Sequence, residues 1–142
     1  MLKSFTDFIG EAYDFAKNET TSSSKTHNYH FSDGDRHYRV QIVHSPHKGG
    51  AADVSFATID HEGKTNIKKT DAGAGKSHHI FSTVHNIMKQ HAKEHDVDRY
   101  AFSAAADEPS RQKLYHRLAS KHGGGLADID NKGTHHYIAD AK

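Results

Sequence analysis

Cysteine is absent from the chain, which excludes disulfides and thiolate metal sites and fits a reducing compartment. No apolar run approaches the roughly 20 residues that span a bilayer, and no signal-peptide core is present, so no membrane partner is expected. An excess of one charge is also lacking. Lys plus Arg number 19 against 18 for Asp plus Glu, which leaves no basic footprint for nucleic acid. Apolar residues make up only 34% of 142 positions. That composition allows one domain with a small core and predicts at least one segment outside it.

Histidine is abundant, with 15 copies. Most are dispersed among polar neighbours and read as surface residues. His91 to His95 matches H-x-x-E-H, the inverted zincin pattern, with two histidines one helical turn apart. Such peptidases need a third ligand and a large scaffold, and the stretch lies at the end of its helix. No metal site is therefore assigned.

Along the chain, "MLKSFTDFIGEAYDFAK" carries Phe5, Phe8, Ile9, Ala12, Tyr13 and Ala16 at helical spacing, predicting an amphipathic helix over 1–17. "NETTSSSKTHN" is too polar to bury anything and reads as a linker over 18–28. The globular part is expected over 29–142. "RHYRVQIVH" and "DVSFATID" alternate as strands, with "YHFS" before the "DGD" turn as a hairpin partner. "TNIKK" is a short strand. Ile80, Phe81, Val84, Ile87, Met88 and Ala92 form the stripe of a helix starting near Lys76. "DRYAFSA" is a strand. "DEPSRQKLYHRLASK" is a helix with Pro109 at its first position, Asp107 or Glu108 as cap and Gly123 to Gly125 as its stop. "THHYIAD" is a last strand. The order predicts an α+β (mixed α/β) fold with a sheet of about five or six strands.

The most telling stretch is "TDAGAGKS", Thr70 to Ser77, ahead of that first helix of the globular part. Gly75, Lys76 and Ser77 fit the end of a Walker A loop, but Thr70 stands where its first glycine belongs, and too little chain remains for a nucleotide-binding sheet. Glycines at a helix start suit a diphosphate for a simpler reason. Unpaired amides and the positive end of the helix dipole face the anion, and absent side chains let the backbone approach.

The order strand, glycine loop, helix, strand, tyrosine-bearing helix, strand resembles the GNAT superfamily of acyl-CoA N-acyltransferases, whose sheet is mostly antiparallel and flanked by helices. The resemblance covers about residues 36–139, by order of elements more than by identity. It implies that Gly73, Ala74, Gly75, Lys76 and Ser77 hold acetyl-CoA and that "YAFSA" splays from "DVSFATID" to open a slot for the pantetheine arm. It also implies that Tyr115 protonates the departing thiolate and that an amine is the acceptor. No general base is assignable among His116, His136 and Asp60. The family's Arg or Gln is Thr70 here. Its frequent asparagine after the fifth strand is replaced by Ser103 and Ala104, and "HGGG" stands where Gly-Phe is usual.

A narrower resemblance joins "GAGKSHHIFSTVHNIMKQH" and "EPSRQKLYHRLA" to small phage proteins of acetyltransferase type. There Arg111, Lys113 and Arg117 put cations near Tyr115, either to hold a phosphate such as the CoA ribose phosphate or, as the preferred reading, as a solvated face. "MLKSFTDFIGEA" is similar to the capsid-targeting leaders of large tailed phages, with Ile9-Gly10-Glu11 matching the cleavage tripeptide. That implies docking on a phage head scaffold or capsid through the N-terminal helix and a location in the virion or host cytoplasm. Two functions are thus open: an N-acetyltransferase, or a non-catalytic virion-associated or interaction protein that keeps the fold without the cofactor.

Overall fold

The structure is a computed structural model that describes residues 12–19, 22, 25–33, 36–44, 51–59, 65–66 and 77–141. Its strands are β1 (Phe15–Lys17), β2 (Thr26–Asp33), β3 (Arg36–His44), β4 (Ala51–Ile59), β5 (Thr65–Asn66), β6 (Arg99–Ala104), β7 (Gly125–Ile129) and β8 (His135–Asp140). Helix α1 (Ser77–Glu94) connects the β4–β5 region to β6, and α2 (Pro109–Lys121) connects β6 to β7. Seven strands run β1-β2-β3-β4-β6-β8-β7 across one sheet, and β5 adds to β4. Every pairing is antiparallel except that of β4 with β6.

The sheet is thus wider than the five or six strands expected. The added strands are β1 and β7. Phe15–Lys17 was expected to close a helix over 1–17 but is strand β1. The edge of β2 decides this: Phe15, Ala16 and Lys17 stand opposite Phe31, His30 and Tyr29, and the Phe15 ring meets Tyr29 edge-on at 6.1 Å. Helical spacing of a few apolar residues is a weaker constraint than an open strand edge with an aromatic row beside it. The remainder of that expected helix, residues 1–11, lies outside the described residues. The linker expected over 18–28 is partly folded too. Thr26, His27 and Asn28 belong to β2. Ser22 Oγ accepts from the Asn28 amide at 3.0 Å and donates to the Asn18 carbonyl at 2.7 Å.

Cross-strand partners share a face, so the register defines a single buried surface. It carries Tyr29 and Phe31 of β2, Tyr38, Val40 and Ile42 of β3, Val54 and Phe56 of β4, Tyr100 and Phe102 of β6, and Tyr137 and Ala139 of β8. Phe31, Tyr38 and Phe56 stack with centroids 5.0 and 5.6 Å apart. Both described helices lie on this face: α1 brings Ile80, Val84, Ile87 and Met88, and α2 brings Leu114, Tyr115 and Leu118. The opposite face carries part-exposed His30, Arg39, Gln41 and Ser55 and exposed Ser103. An antiparallel sheet tolerates such asymmetry, as one face suffices for the core.

The ends of α2 follow local chemistry. Pro109 occupies the first turn, where its missing amide is no loss. Glu108 is the N-cap residue, but its side chain makes no cap hydrogen bond; Oε1 instead accepts from the Ala105 amide at 2.7 Å. At the other end Gly123 has φ +79°. The Gly124 amide returns to the Ala119 carbonyl at 2.8 Å and the Gly123 amide to Ser120 at 3.3 Å, the Schellman pattern that needs glycine in the left-handed region. Gly124 also lies against the Ile138 carbonyl so closely that a Cβ has no room.

Candidate active site

Strands β4 and β6 pair only at their beginnings, Ala51 with Arg99, Ala52 with Tyr100 and Asp53 with Ala101. Beyond Asp53 they part. β6 continues along β8 as far as Ala104, while the same edge of β4 next meets β5 at Thr58 and Ile59. A window spanning Val54 to Ala57 is left on β4. Backbone groups at such a window need partners, because buried amides are almost always satisfied.

Tyr115 supplies one. Its α2 position puts it on the apolar face with Leu114 and Leu118, and its ring stacks on Phe102 at 5.1 Å. The hydroxyl accepts from the Phe56 amide at 3.0 Å and from Arg111 Nη1 at 3.4 Å. Tyr115 is fully buried. Burial pushes its pKa up, against the lowering effects of the Arg111 cation and the Phe56 amide, so the phenol is protonated at neutral pH.

Arg111 stands one turn before Tyr115 and is 3% exposed. Its Nε lies 3.5 Å from Glu108 Oε2, and neither Nε nor Nη2 has a hydrogen-bond partner. The distance is an ion pair without hydrogen-bond alignment, so the two findings agree. Arg111 is therefore not part of a solvated face, contrary to the sequence reading. Lys113 and Arg117 are exposed as expected, and Arg117 lies over the Phe81 ring at 4.5 Å. Sequence spacing puts three cations on one helix; only packing turns Arg111 inward to the tyrosine.

Of the other expected site residues, Ser77 opens α1, while Thr70, Gly73, Ala74, Gly75 and Lys76 lie outside the described residues, as does Asp60. His136 is engaged by Asp130 at 3.1 Å and Ser103 at 3.0 Å. His116 is exposed beside Tyr137. His91 and His95, the pair in H-x-x-E-H, meet His27 and His44 at the far end of α1. The sequence reading missed that meeting, because no spacing rule links β2 and β3 to the end of a helix some fifty residues later.

No family model and no curated protein sequence matches the chain. Solved structures do. The apo form of RimL, the ribosomal L7/L12 alpha-N-protein acetyltransferase, superimposes with a TM-score of 0.56 at 9% identity, over 82% of this chain and 70% of that one. A chimera of the spermidine N-acetyltransferase SpeG from Vibrio cholerae and hSSAT gives 0.56 at 10% identity, over 87% and 72%. RimL in complex with coenzyme A gives 0.52 at 11%, over 82% and 62%. The fold is GNAT-like, as in these acetyltransferases.

Proposed function

We propose that the chain is an acyl-CoA-dependent N-acyltransferase acting on an amine. One observation carries the reading: β4 and β6 part after Asp53, and the gap contains a protonated tyrosine hydroxyl. Acetyl-CoA, when bound, supplies an activated acyl thioester. The parted strands suit an extended pantetheine arm, and amides at the start of α1 suit a diphosphate. Gly73, Ala74, Gly75, Lys76 and Ser77 would hold it there. Tyr115 accepts two hydrogen bonds, from Phe56 and Arg111, so its own proton is the one group its hydroxyl has left to give. As general acid it would hold that proton at Oη for a departing sulfur. Phe56 positions Tyr115 through its amide, and Arg111 does so through its guanidinium.

A second reading draws on the full burial of Tyr115. The fold then serves as a non-catalytic virion-associated or interaction protein, with the Tyr115 hydroxyl acting as a permanent plug on the Phe56 amide. Residues 1–11 would be the docking leader on a phage head. Cleavage after Glu11 would retain Tyr13, whose amide donates to Thr83 Oγ1 at 2.7 Å.

Coenzyme A separates the two readings. At 100 times its dissociation constant it should stabilise the protein by about 2.7 kcal/mol, and acetyl-CoA should label amines in a substrate panel. Absence of any thermal shift removes the enzymatic reading. Mass spectrometry of purified virions, searching for a chain beginning at Ala12, tests the other.

A further inference from the structure

At the C-terminal end of α1 four imidazoles from three elements converge. His91 lies in the last turn of the helix, and the His95 amide bonds to the His91 carbonyl at 2.9 Å, carrying the turn past Glu94. His27 enters from β2. His44 ends β3 on the same face, since His27 stands opposite Ile42. Ring centroids are 4.2 Å apart for His27 and His95, 4.6 Å for His91 and His95 and 4.9 Å for His44 and His91. The remaining pairs lie at 5.2 to 5.5 Å. One ring nitrogen each of His27, His44 and His95 falls within 4.8 Å of the others, and His44 Nε2 is 3.0 Å from His91 Nε2.

Two features of this cluster are unexplained by packing. His27 is 3% exposed, yet neither of its ring nitrogens has a hydrogen-bond partner, and His95 Nε2 is buried without one. Leaving such groups unmade costs about 1–3 kcal/mol each. The tautomer of His91 is also fixed. The Tyr100 hydroxyl donates to the Met88 carbonyl at 3.2 Å, so across its 2.8 Å contact with His91 Nδ1 it accepts. The His91 proton therefore sits on Nδ1, and the Nε2 lone pair faces His44 Nε2 at 3.0 Å. Metal-ligating histidines are held in this way, with the far N–H on an oxygen.

We propose that His27, His44, His91 and His95 form a site for one divalent transition ion of the zinc type, tying β2 and β3 to the end of α1. Zinc–nitrogen bonds of about 2.0–2.1 Å in a tetrahedron put ligand nitrogens about 3.4 Å apart. The His44–His91 separation is already near that value, and the others close inward. An all-imidazole set suits zinc, copper or nickel and not the oxygen-seeking magnesium or calcium. His44 and His95 are part-exposed, which gives the ion its entrance. The site is independent of acyl transfer: His44 pairs with Ala52, at the zipped end of β4, whereas Tyr115 bonds Phe56 further along.

The test uses the full chain stripped with chelator. Calorimetric titration with Zn²⁺ should give one ion per chain and a raised Tm, and Co²⁺ should give the intense visible bands of tetrahedral coordination. His44→Gln with His95→Gln should lose affinity on the order of 100-fold or more and abolish those bands, with an unchanged circular dichroism spectrum. His85→Gln with His122→Gln, which removes a separate histidine pair, should leave both readouts intact. Zinc binding unaltered by the first double substitution, an octahedral cobalt spectrum, or no rise in Tm would overturn the proposal.

Discussion

The two ends of β4 handle buried polarity in opposite ways. At its start β4 is zipped to β6, and the polar groups nearby are imidazoles facing one another, with buried ring nitrogens of His27 and His95 lacking a hydrogen-bond partner. Further along it has left β6, and the polar group is a backbone amide satisfied by one tyrosine hydroxyl. Helix α1 spans both ends, with Ser77 leading in from the glycine stretch and His91 at the imidazoles. The difference shows that a sheet can make a site by withholding a strand partner or by withholding a side-chain partner. The first kind invites an extended ligand that pairs with backbone; the second invites an ion that needs lone pairs.

Removing the hydroxyl tests the open end most severely. Tyr115→Phe should lower acyl transfer by about 10²–10⁴-fold while the coenzyme A thermal shift persists; unchanged turnover would strip Tyr115 of its role as acid. Phe56→Ala comes next. It empties the stack with Phe31 and Tyr38 and should cost about 3–5 kcal/mol, read from urea unfolding. A loss below 1 kcal/mol would mean that the wedge collapses without penalty. At the zipped end, Tyr100→Phe keeps the ring but frees the His91 Nδ1 proton. Zinc affinity should fall about 10–100-fold, with the coenzyme A response untouched, so a loss of both responses would show that the two ends are not independent.

The smallest effect concerns the histidine pair outside the cluster. His85 Nδ1 and His122 Nε2 lie 2.9 Å apart. Burial, with the charges of His122, Lys89 and Lys121, lowers His85 to about 4, and burial lowers His122 as well. These folded-state values lie below the unfolded one, so the unfolded chain takes up protons first as pH falls. The pair's contribution is complete above about pH 6.5 and is lost toward pH 4. In chelator, His85→Gln should reduce the loss of stability between pH 7 and pH 4.5 by on the order of 1 kcal/mol. An identical pH dependence would show that the pair does not titrate on unfolding.

Legibility followed the range of the forces involved. The core strands β3 and β4 were plain in their alternation, and both described helices in their stripes. Pro109 and Gly123 punctuate α2 because φ restrictions act on single residues. β1 was misread as helix and β7 was passed over as the tail of a glycine stop, since short edge strands take their structure from the strand they join. The wedge itself came through resemblance and element order, not from any residue. Arg111 and the histidine quartet were hidden, because α2's turn toward Phe56 and α1's landing on β2 and β3 depend on contacts between distant segments.

By itself the sequence determined the central strands and both described helices, the exclusion of thiolate chemistry and the number of imidazoles available. The tertiary structure alone decided which strand ends part, which cation turns inward and which four histidines gather at the end of α1. Periodicity and φ preference act over a few residues and are written locally; the convergence of β2, β3 and α1 depends on a register and a helix seat that only the whole packed sheet fixes.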